Sequence, residues 1–119
     1  MREPLQLERI VTGDVTTAQV AGELDCHTAP ALSELVEDSL RRDPRLLLLD
    51  LTMCTFMDSA GCRVLAVAHR LAGDGRIGVV CPESNRAVRR VLEIVGLVEA
   101  LDVQARLADF DRPALDRPA

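Results

Sequence analysis

An acidic side chain and a hydroxyl side chain stand next to each other in the stretch Thr55–Gly61, which reads TFMDSAG. A short acceptor such as Asp58 is typical of a helix N-cap, because its carboxylate accepts hydrogen bonds from backbone N–H groups that a helix start leaves free. If Asp58 takes the cap, Ser59 becomes the first helical residue and its hydroxyl projects into solvent. The free N–H groups and the helix dipole favour an anion there, so the fold would tolerate a phosphate on Ser59. Simple capping, with no chemistry at Ser59, is the alternative interpretation.

Ser59 is also a candidate nucleophile, because the residues after it match the second half of a G-x-S-x-G nucleophile elbow. The match is incomplete, since Met57 replaces the first glycine, and the chain is short for a hydrolase fold. A serine nucleophile also needs a base. His69 lies further along the same predicted helix, about 15 Å away at a rise of 1.5 Å per residue. His27 then remains as the candidate base, so hydrolysis stays an alternative, but we expect no catalytic residues and a protein that is not an enzyme.

Neither the cysteines nor the glycines form a cofactor motif. The cysteines contain no C-x-x-C pair and no zinc-ligand spacing, which favours reduced thiols packed as small apolar residues: Cys26, Cys54, Cys62 and Cys81. Three glycines satisfy G-x-G-x-x-G, but this dinucleotide motif follows a strand and opens a helix, whereas the predicted order is reversed here: Gly73, Gly75 and Gly78. We therefore predict no metal site and no cofactor.

The composition indicates one domain that does not bind nucleic acid directly. The chain has 119 residues, of which 48% are hydrophobic, enough apolar surface for a single core. A net charge of −5 and an aromatic content of 2% provide neither a basic footprint for phosphates nor platforms for base stacking. No stretch approaches the roughly 18 apolar residues of a membrane span, and no signal-peptide segment is present at the N-terminus. We expect a cytoplasmic protein without a membrane span.

Five stretches predict β-strands. The first two favour a hairpin, because they flank a Gly-Asp turn at positions 13 and 14. The third and fourth are continuous apolar runs, which are typical of central strands covered on both faces. The five predicted strands are Leu5–Val11, Thr16–Ala21, Leu46–Leu51, Ile77–Cys81 and Leu101–Val103.

Apolar residues at helical spacing predict about four helical segments between these strands. The first covers Thr28–Arg42, with Thr28 as N-cap and a proline in its first turn. A largely buried second helix covers Cys62–Leu71 and ends at a Gly-Asp-Gly turn. A third helix is capped by Ser84 and stopped by Gly96. A helical turn over 105–109 completes the set.

Strands that alternate with helices imply right-handed crossovers and therefore a mainly parallel sheet, with the hairpin at one side. The predicted fold class is α/β. In such sheets, functional groups collect beyond the carboxyl ends of the strands. Two polar stretches lie there: Gly22–Asp25 after the second strand and Met57–Ser59 after the third.

Three separated motifs resemble the STAS domain of bacterial anti-sigma factor antagonists. The first is G-E-L-D-x-x-T-A-P over 22–30, the second is L-L-D-L-T over 48–52 leading into F-M-D-S-A-G over 56–61, and the third is V-L-E-I-V-G-L over 91–97. The resemblance covers nearly the whole chain in the same order. It implies a single STAS-like domain over 1–111. Pro113 and Pro118 predict a flexible tail over 112–119.

The resemblance implies a partner-switching protein. In this family, the unphosphorylated antagonist binds an anti-sigma factor, usually also a serine kinase, and thereby frees a sigma factor. The kinase phosphorylates the serine after the motif's aspartate, here Ser59, and a PP2C-type phosphatase reverses the modification. The residues that the resemblance assigns to partner binding are Asp25, Thr28, Asp58, Ala60 and Gly61. A STAS module without a phosphate switch, acting as an accessory subunit of a transporter or sensor complex, is the alternative.

Two positions in this motif leave a choice of interpretation. Gly61 either lets the partner's backbone come close or meets a packing requirement of its own helix. Cys62 stands where the family commonly has leucine, as either a core replacement or a redox-sensitive thiol near Ser59.

Overall fold

A computed structural model describes residues 4–110 of the chain. The chain opens with an antiparallel hairpin of β1 (Gln6–Thr12) and β2 (Val15–Leu24), in which Thr12 pairs with Val15. Gly13 has a φ of 61°, a left-handed conformation that glycine adopts without steric penalty, so the predicted two-residue turn is confirmed.

Three further strands extend the sheet in parallel: β3 (Leu46–Met57), β4 (Ile77–Val80) and β5 (Asp102–Gln104). The strand order is β1-β2-β3-β4-β5, which confirms a mainly parallel sheet with the hairpin at one side. The prediction for β3 was too short by six residues. Its second half pairs with β2 but not with β4. Four of the six residues in this half are exposed, only Cys54 and Met57 are buried, and the continuous apolar run of the first half is missing.

Four α-helices connect the strands: α1 (Ala29–Arg41), α2 (Ser59–Ala72), α3 (Arg86–Ile94) and α4 (Leu97–Ala100). The main core contains strand residues Leu47, Leu49 and Leu51 together with residues of all four helices. The alternate strand residues Leu46 and Leu48 belong to a second, smaller core on the other face of the sheet. Gly96 has a φ of 79° and ends α3 as predicted.

The start of α3 differs from the prediction. Ser84 is exposed and precedes the cap position, which Asn85 occupies. The Asn85 side chain makes no capping hydrogen bond. Its Nδ2 donates instead to the carbonyl oxygens of Leu51 at 3.0 Å and Cys54 at 2.9 Å. These acceptors lie on the half of β3 that β4 does not reach, so the amide supplies hydrogen bonds that a longer β4 would have made.

The last predicted elements are present with shifted bounds. The final strand begins one residue later than expected, and the helical turn is a 3₁₀ turn over Leu107–Phe110. The predicted flexible tail lies outside the described residues. None of the helices within residues 4–110 is long and apolar enough to cross a bilayer.

Candidate functional site

The carboxyl ends of β2 and β3 bring the two predicted polar turns together. Leu24 and Met57, the last residues of these neighbouring parallel strands, are partners in register. The backbone N–H of Asp58 donates to the carbonyl oxygen of Leu24 at 3.2 Å, which ties the start of the β3–α2 turn to the end of β2. The sequence-based expectation that these two stretches meet at one edge of the sheet is therefore confirmed.

Asp58 caps α2. Its backbone is extended, with φ −112° and ψ −169°, and its Oδ1 accepts a hydrogen bond from the N–H of Ala60 at 2.9 Å. Its carbonyl oxygen accepts the first helical hydrogen bond, from the N–H of Cys62 at 3.2 Å. The predicted N-cap is confirmed, and the cap fixes where the helix begins.

Ser59 is the first residue of α2 and is exposed. Among residues 4–110 its hydroxyl makes no hydrogen bond, because the cap is already supplied by the neighbouring carboxylate. The predicted projection of this hydroxyl into solvent is confirmed. The side chain is thus accessible to a second protein and stands at a helix start, where the helix dipole favours an anion.

The β2–α1 turn is built differently. Asp25 is only 6% exposed, and its Oδ1 accepts hydrogen bonds from the N–H groups of His27 at 2.9 Å and Thr28 at 3.0 Å. The Thr28 hydroxyl accepts from the N–H of Asp25 at 2.9 Å and donates to the carbonyl oxygen of Glu23 at 2.9 Å. Both predicted partner-binding side chains are therefore occupied in holding the turn.

Thr28 takes the predicted N-cap position of α1 without using its side chain as a cap. The helix start requires little capping, since Pro30 has no N–H and the N–H of Ala31 bonds to the carbonyl oxygen of Thr28 at 3.1 Å. The remaining N–H, that of Ala29, donates to the carbonyl oxygen of Asp25 at 2.8 Å. The hydroxyl is consequently free to close the preceding turn.

Gly61 faces the protein interior. A Cβ at this position would lie 2.8 Å from Met57 Cγ and 2.9 Å from Leu24 Cδ2, closer than such atoms approach each other. The glycine therefore lets α2 pack against the ends of β2 and β3. Of the two interpretations of this residue, the packing requirement is the one that the geometry supports.

A surface groove of about 390 Å³ lies between α1 and α2 beside Ser59. Its apolar walls come mainly from the first turns of both helices, and its main residues include Ala29, Pro30, Ser33, Ala60, Arg63 and Val64. Ala60, a predicted partner-binding residue, is thus placed on an open surface. Arg63 is exposed, stands four residues after Ser59, and makes no ion pair among the described residues.

Sequence reasoning missed Arg63 and two apolar side chains near this edge. The spacing of Ser59 and Arg63 was readable, since residues four apart lie on the same helix face. Met53 and Phe56 belong to the second half of β3 and are 68% and 38% exposed. Nothing in the sequence marked their exposure, because it depends on how far β4 extends along β3.

The thiols and histidines add no chemistry to this site. All four cysteines are free, and three are buried, as expected for small core residues, whereas Cys26 is exposed. Burial and the nearby Asp58 carboxylate raise the pKa of Cys62, and burial raises the pKa of Cys54 to about 11. The raised pKa of Cys62 disfavours the thiolate that redox chemistry at this residue would need.

The alternative of a serine hydrolase also gains no support. His69 lies 3.7 Å from the Asp74 carboxylate at the far end of α2. No hydrogen bond joins His27 to Ser59 in residues 4–110. The described residues also contain no cluster of ligands that could hold a metal ion.

Comparison with known proteins agrees with this arrangement. A relative, the anti-sigma-F factor antagonist RsfB of Mycobacterium tuberculosis, is 30% identical over 96 residues, which are 80% of this chain and 77% of RsfB. The crystal structure of an anti-sigma factor antagonist from Mycobacterium paratuberculosis superposes with a TM-score of 0.83 at 28% identity, covering 89% of this chain and 90% of that one.

A third neighbour has the same fold at lower identity. The Bacillus cell fate determinant SpoIIAA, solved in its phosphorylated form, has a TM-score of 0.64 at 20% identity and covers 92% of this chain and 98% of its own. The sequence-family model of the STAS domain matches residues 6–110 of this chain. These residues include all five strands and both polar turns. The chain therefore belongs to the STAS domain family.

Proposed function

We propose that this chain is an anti-sigma factor antagonist whose unphosphorylated form binds an anti-sigma factor, and that phosphorylation of Ser59 ends that binding. The names of its relatives support the first part of the proposal. The observation that carries the second is the exposed Ser59 hydroxyl, which stands at the first position of a capped helix and makes no hydrogen bond within residues 4–110. A phosphate there leaves every described hydrogen bond of the fold intact.

The groove between α1 and α2 is where the anti-sigma factor would dock. It begins at Ala60, directly after the phosphoacceptor, and its apolar walls offer surface that a partner can bury. Phe56 and Met53 are also exposed, on the strand that leads to Ser59. A partner seated on this edge would cover the Ser59 hydroxyl.

A phosphate would act locally on such a complex. It adds roughly −1.5 to −2 charges at neutral pH and three strong acceptor oxygens. These charges stand beside the Asp58 carboxylate, so a partner that buries the site meets both repulsion and the desolvation of a dianion. A coupling of about 4 kcal/mol corresponds to a roughly thousandfold loss of affinity, which exchanges partners without refolding the domain.

The proposal requires two further proteins. The anti-sigma factor, or a kinase associated with it, transfers the phosphate from ATP to Ser59, and a PP2C-type phosphatase removes it. Both reactions need a side chain that reaches another protein's active site, which the exposed start of α2 provides. These encounters take place in the cytoplasm, where sigma factors act.

Phosphate mapping by mass spectrometry tests the proposal. The chain is incubated with a candidate kinase and ATP, and we expect one phosphate, on Ser59. Ser59→Ala should abolish the modification, whereas Ser84→Ala, a matched change at another exposed serine, should leave it unchanged. A chain that several cognate kinases leave unmodified, or that carries its phosphate elsewhere, would favour a STAS module without a phosphate switch.

A further inference from the structure

The sheet face opposite the helices has a second cavity, which is partly open to solvent. This face is covered by the 3₁₀ turn Leu107–Phe110, whose Phe110 is 3% exposed and packs with Leu46, Leu48 and Val80. Gly78 makes the close contact possible, because a Cβ there would lie 2.5 Å from the Phe110 ring. Phe110 thus anchors the turn over the sheet.

Beside Phe110 lies a cavity of about 470 Å³. Val15, Leu48 and Phe110 provide apolar walls, Leu107 and Ala108 form its outer side, and Thr12 and Thr17 complete the lining. This volume lies within the range of small-molecule sites, which are mostly apolar and contain a few polar groups that orient the ligand. None of the described residues that line it is charged, so an ionised ligand would be desolvated there without a counterion.

Thr17 supplies one of the two hydroxyl groups in this lining. Its side chain lies on the cavity, the residue is 7% exposed, and the described residues provide no hydrogen-bond partner for its hydroxyl. A ligand in the cavity can therefore form a hydrogen bond with it. Thr12, which is exposed, adds a second hydroxyl to a lining that is otherwise made of apolar side chains. Ile10, the register partner of Thr17 on β1, is 38% exposed and continues the apolar surface beyond the cavity.

The cavity and the Ser59 edge lie apart. Leu48 is in the first part of β3, whereas Ser59 follows the carboxyl end of that strand. The residues between Leu48 and Met57 span roughly 30 Å at about 3.3 Å per residue. The helices, the groove beside Ser59 and the main core lie on the other face of the sheet from the cavity. An occupant of the cavity would therefore not obstruct a partner at Ser59.

We propose that this cavity is a binding site for a small, neutral, largely apolar molecule that carries one hydrogen-bonding group for the Thr17 hydroxyl. The proposal is independent of the partner switch, and its test needs neither a kinase nor an anti-sigma factor. The probe is N-phenyl-1-naphthylamine, a neutral apolar dye with a single N–H, which fluoresces on leaving water.

Dye titration of the full chain tests the proposal. We expect saturable binding with one dye per chain and a higher unfolding midpoint at saturation. Thr17→Val keeps the shape and removes the hydroxyl, so it should weaken binding about fivefold while the chain stays at least as stable. Thr17→Phe should fill the cavity and abolish binding. Thr16→Val is the matched control, because Thr16 is buried on the opposite face of β2 and does not line the cavity.

Charge selectivity gives a second readout. The anionic dye 1-anilinonaphthalene-8-sulfonate should bind at least tenfold more weakly than the neutral dye, because none of the described lining residues is cationic. Equal affinity for both dyes would indicate general apolar adhesion and overturn the proposal. So would an absence of saturable binding, or an affinity that Thr17→Val and Thr16→Val leave equally unchanged. If Thr17→Phe fails to fold, as judged by circular dichroism, the Thr17→Val comparison still decides.

Discussion

The two turns at the carboxyl ends of β2 and β3 contain the same kinds of side chain and use them in opposite ways. In the β2–α1 turn, the Asp25 carboxylate and the Thr28 hydroxyl are both engaged with backbone groups. In the β3–α2 turn, the Asp58 carboxylate alone supplies the cap, and the Ser59 hydroxyl makes no hydrogen bond in the described chain. The first hydroxyl holds the fold together, whereas the second is available for chemistry.

The difference follows from where each hydroxyl stands relative to its acid. Thr28 comes three residues after Asp25, so the chain turns back and the two side chains close a ring of hydrogen bonds. Ser59 comes directly after Asp58 and projects from the first turn of a helix. When an acid directly precedes a hydroxyl at a helix start, the carboxylate accepts the backbone hydrogen bond that the helix start requires. The hydroxyl is then not needed as a cap and remains available for function.

The largest expected effect is on partner binding when Ser59 is changed. Ser59→Ala should keep its affinity for the anti-sigma factor with or without ATP, because it cannot accept a phosphate. Wild type should lose roughly a thousandfold in affinity when phosphorylated, equivalent to about 4 kcal/mol. Ser59→Asp should lose less, since aspartate has one charge where the phosphate has nearly two. Isothermal titration calorimetry measures the affinity for the anti-sigma factor of Ser59→Ala, of Ser59→Asp, and of wild type before and after phosphorylation.

The other turn supplies the control for this experiment. Thr28→Val removes a hydroxyl that the structure uses internally, so it should lower stability while the variant remains sensitive to ATP. Equal affinities of Ser59→Ala and Ser59→Asp for the anti-sigma factor would contradict the proposed switch.

The next largest effect concerns the acid of the β2–α1 turn. Asp25→Ala should lower the free energy of unfolding by about 1–3 kcal/mol, because the N–H groups of His27 and Thr28 lose the acceptor that the buried Asp25 carboxylate provides. Asp25→Asn keeps an acceptor oxygen and should retain most of the stability. Urea denaturation measures both variants. An unchanged midpoint for Asp25→Ala would show that these hydrogen bonds do not hold the turn.

Much of the fold was predictable because its signals are local. The continuous leucines of β3, the Gly-Asp hairpin turn and the alternation of strands with helices predicted a mainly parallel sheet with the hairpin at one side, and placed both polar turns beyond its carboxyl ends. Asp58 as a cap was also predictable, since a cap depends on residues adjacent in sequence. The position and exposure of Ser59 followed from that cap.

The errors concern side chains whose partners are distant in sequence. Serine is a common N-cap, which favoured Ser84, but Asn85 occupies the cap position of α3. The Asn85 side-chain amide donates to carbonyl groups of β3 that are more than 30 residues away in sequence. Thr28 was placed correctly, yet its hydroxyl serves the turn before it. The role of Gly61 depends on contact with Leu24, which only the packed fold defines.

The Asp58 cap should contribute less to the free energy of unfolding than the hydrogen bonds that Asp25 makes in the β2–α1 turn. Asp58→Ala removes one acceptor at an accessible helix end, so we expect a loss of about 0.5–2 kcal/mol in the free energy of unfolding. Asp58→Asn caps nearly as well and serves as the matched control. Thermal unfolding measures both variants. If Asp58→Ala destabilises the chain more than Asp25→Ala does, the proposed division between a structural turn and a functional turn is wrong.

The smallest expected effect concerns Arg63, whose positive charge lies near a phosphate on Ser59. Arg63 comes four residues after Ser59, so its guanidinium lies on the same face of α2 as the phosphate would. An opposite charge favours the dianion, so Arg63 should lower the second pKa of the phosphate on Ser59. Arg63→Ala should raise that pKa and lower the stability of the phosphorylated chain by about 0.2–0.5 kcal/mol.

Titration followed by ³¹P NMR measures the pKa directly, and Arg63→Lys should preserve most of the shift because it keeps the charge. The unphosphorylated variants should unfold like wild type, since Arg63 makes no ion pair within the described chain. A phosphate pKa that is the same with arginine and with alanine at this position would mean that the helix start alone sets the charge of the modified site. The contrast between the two turns would then rest on the exposed hydroxyl without help from the neighbouring cation.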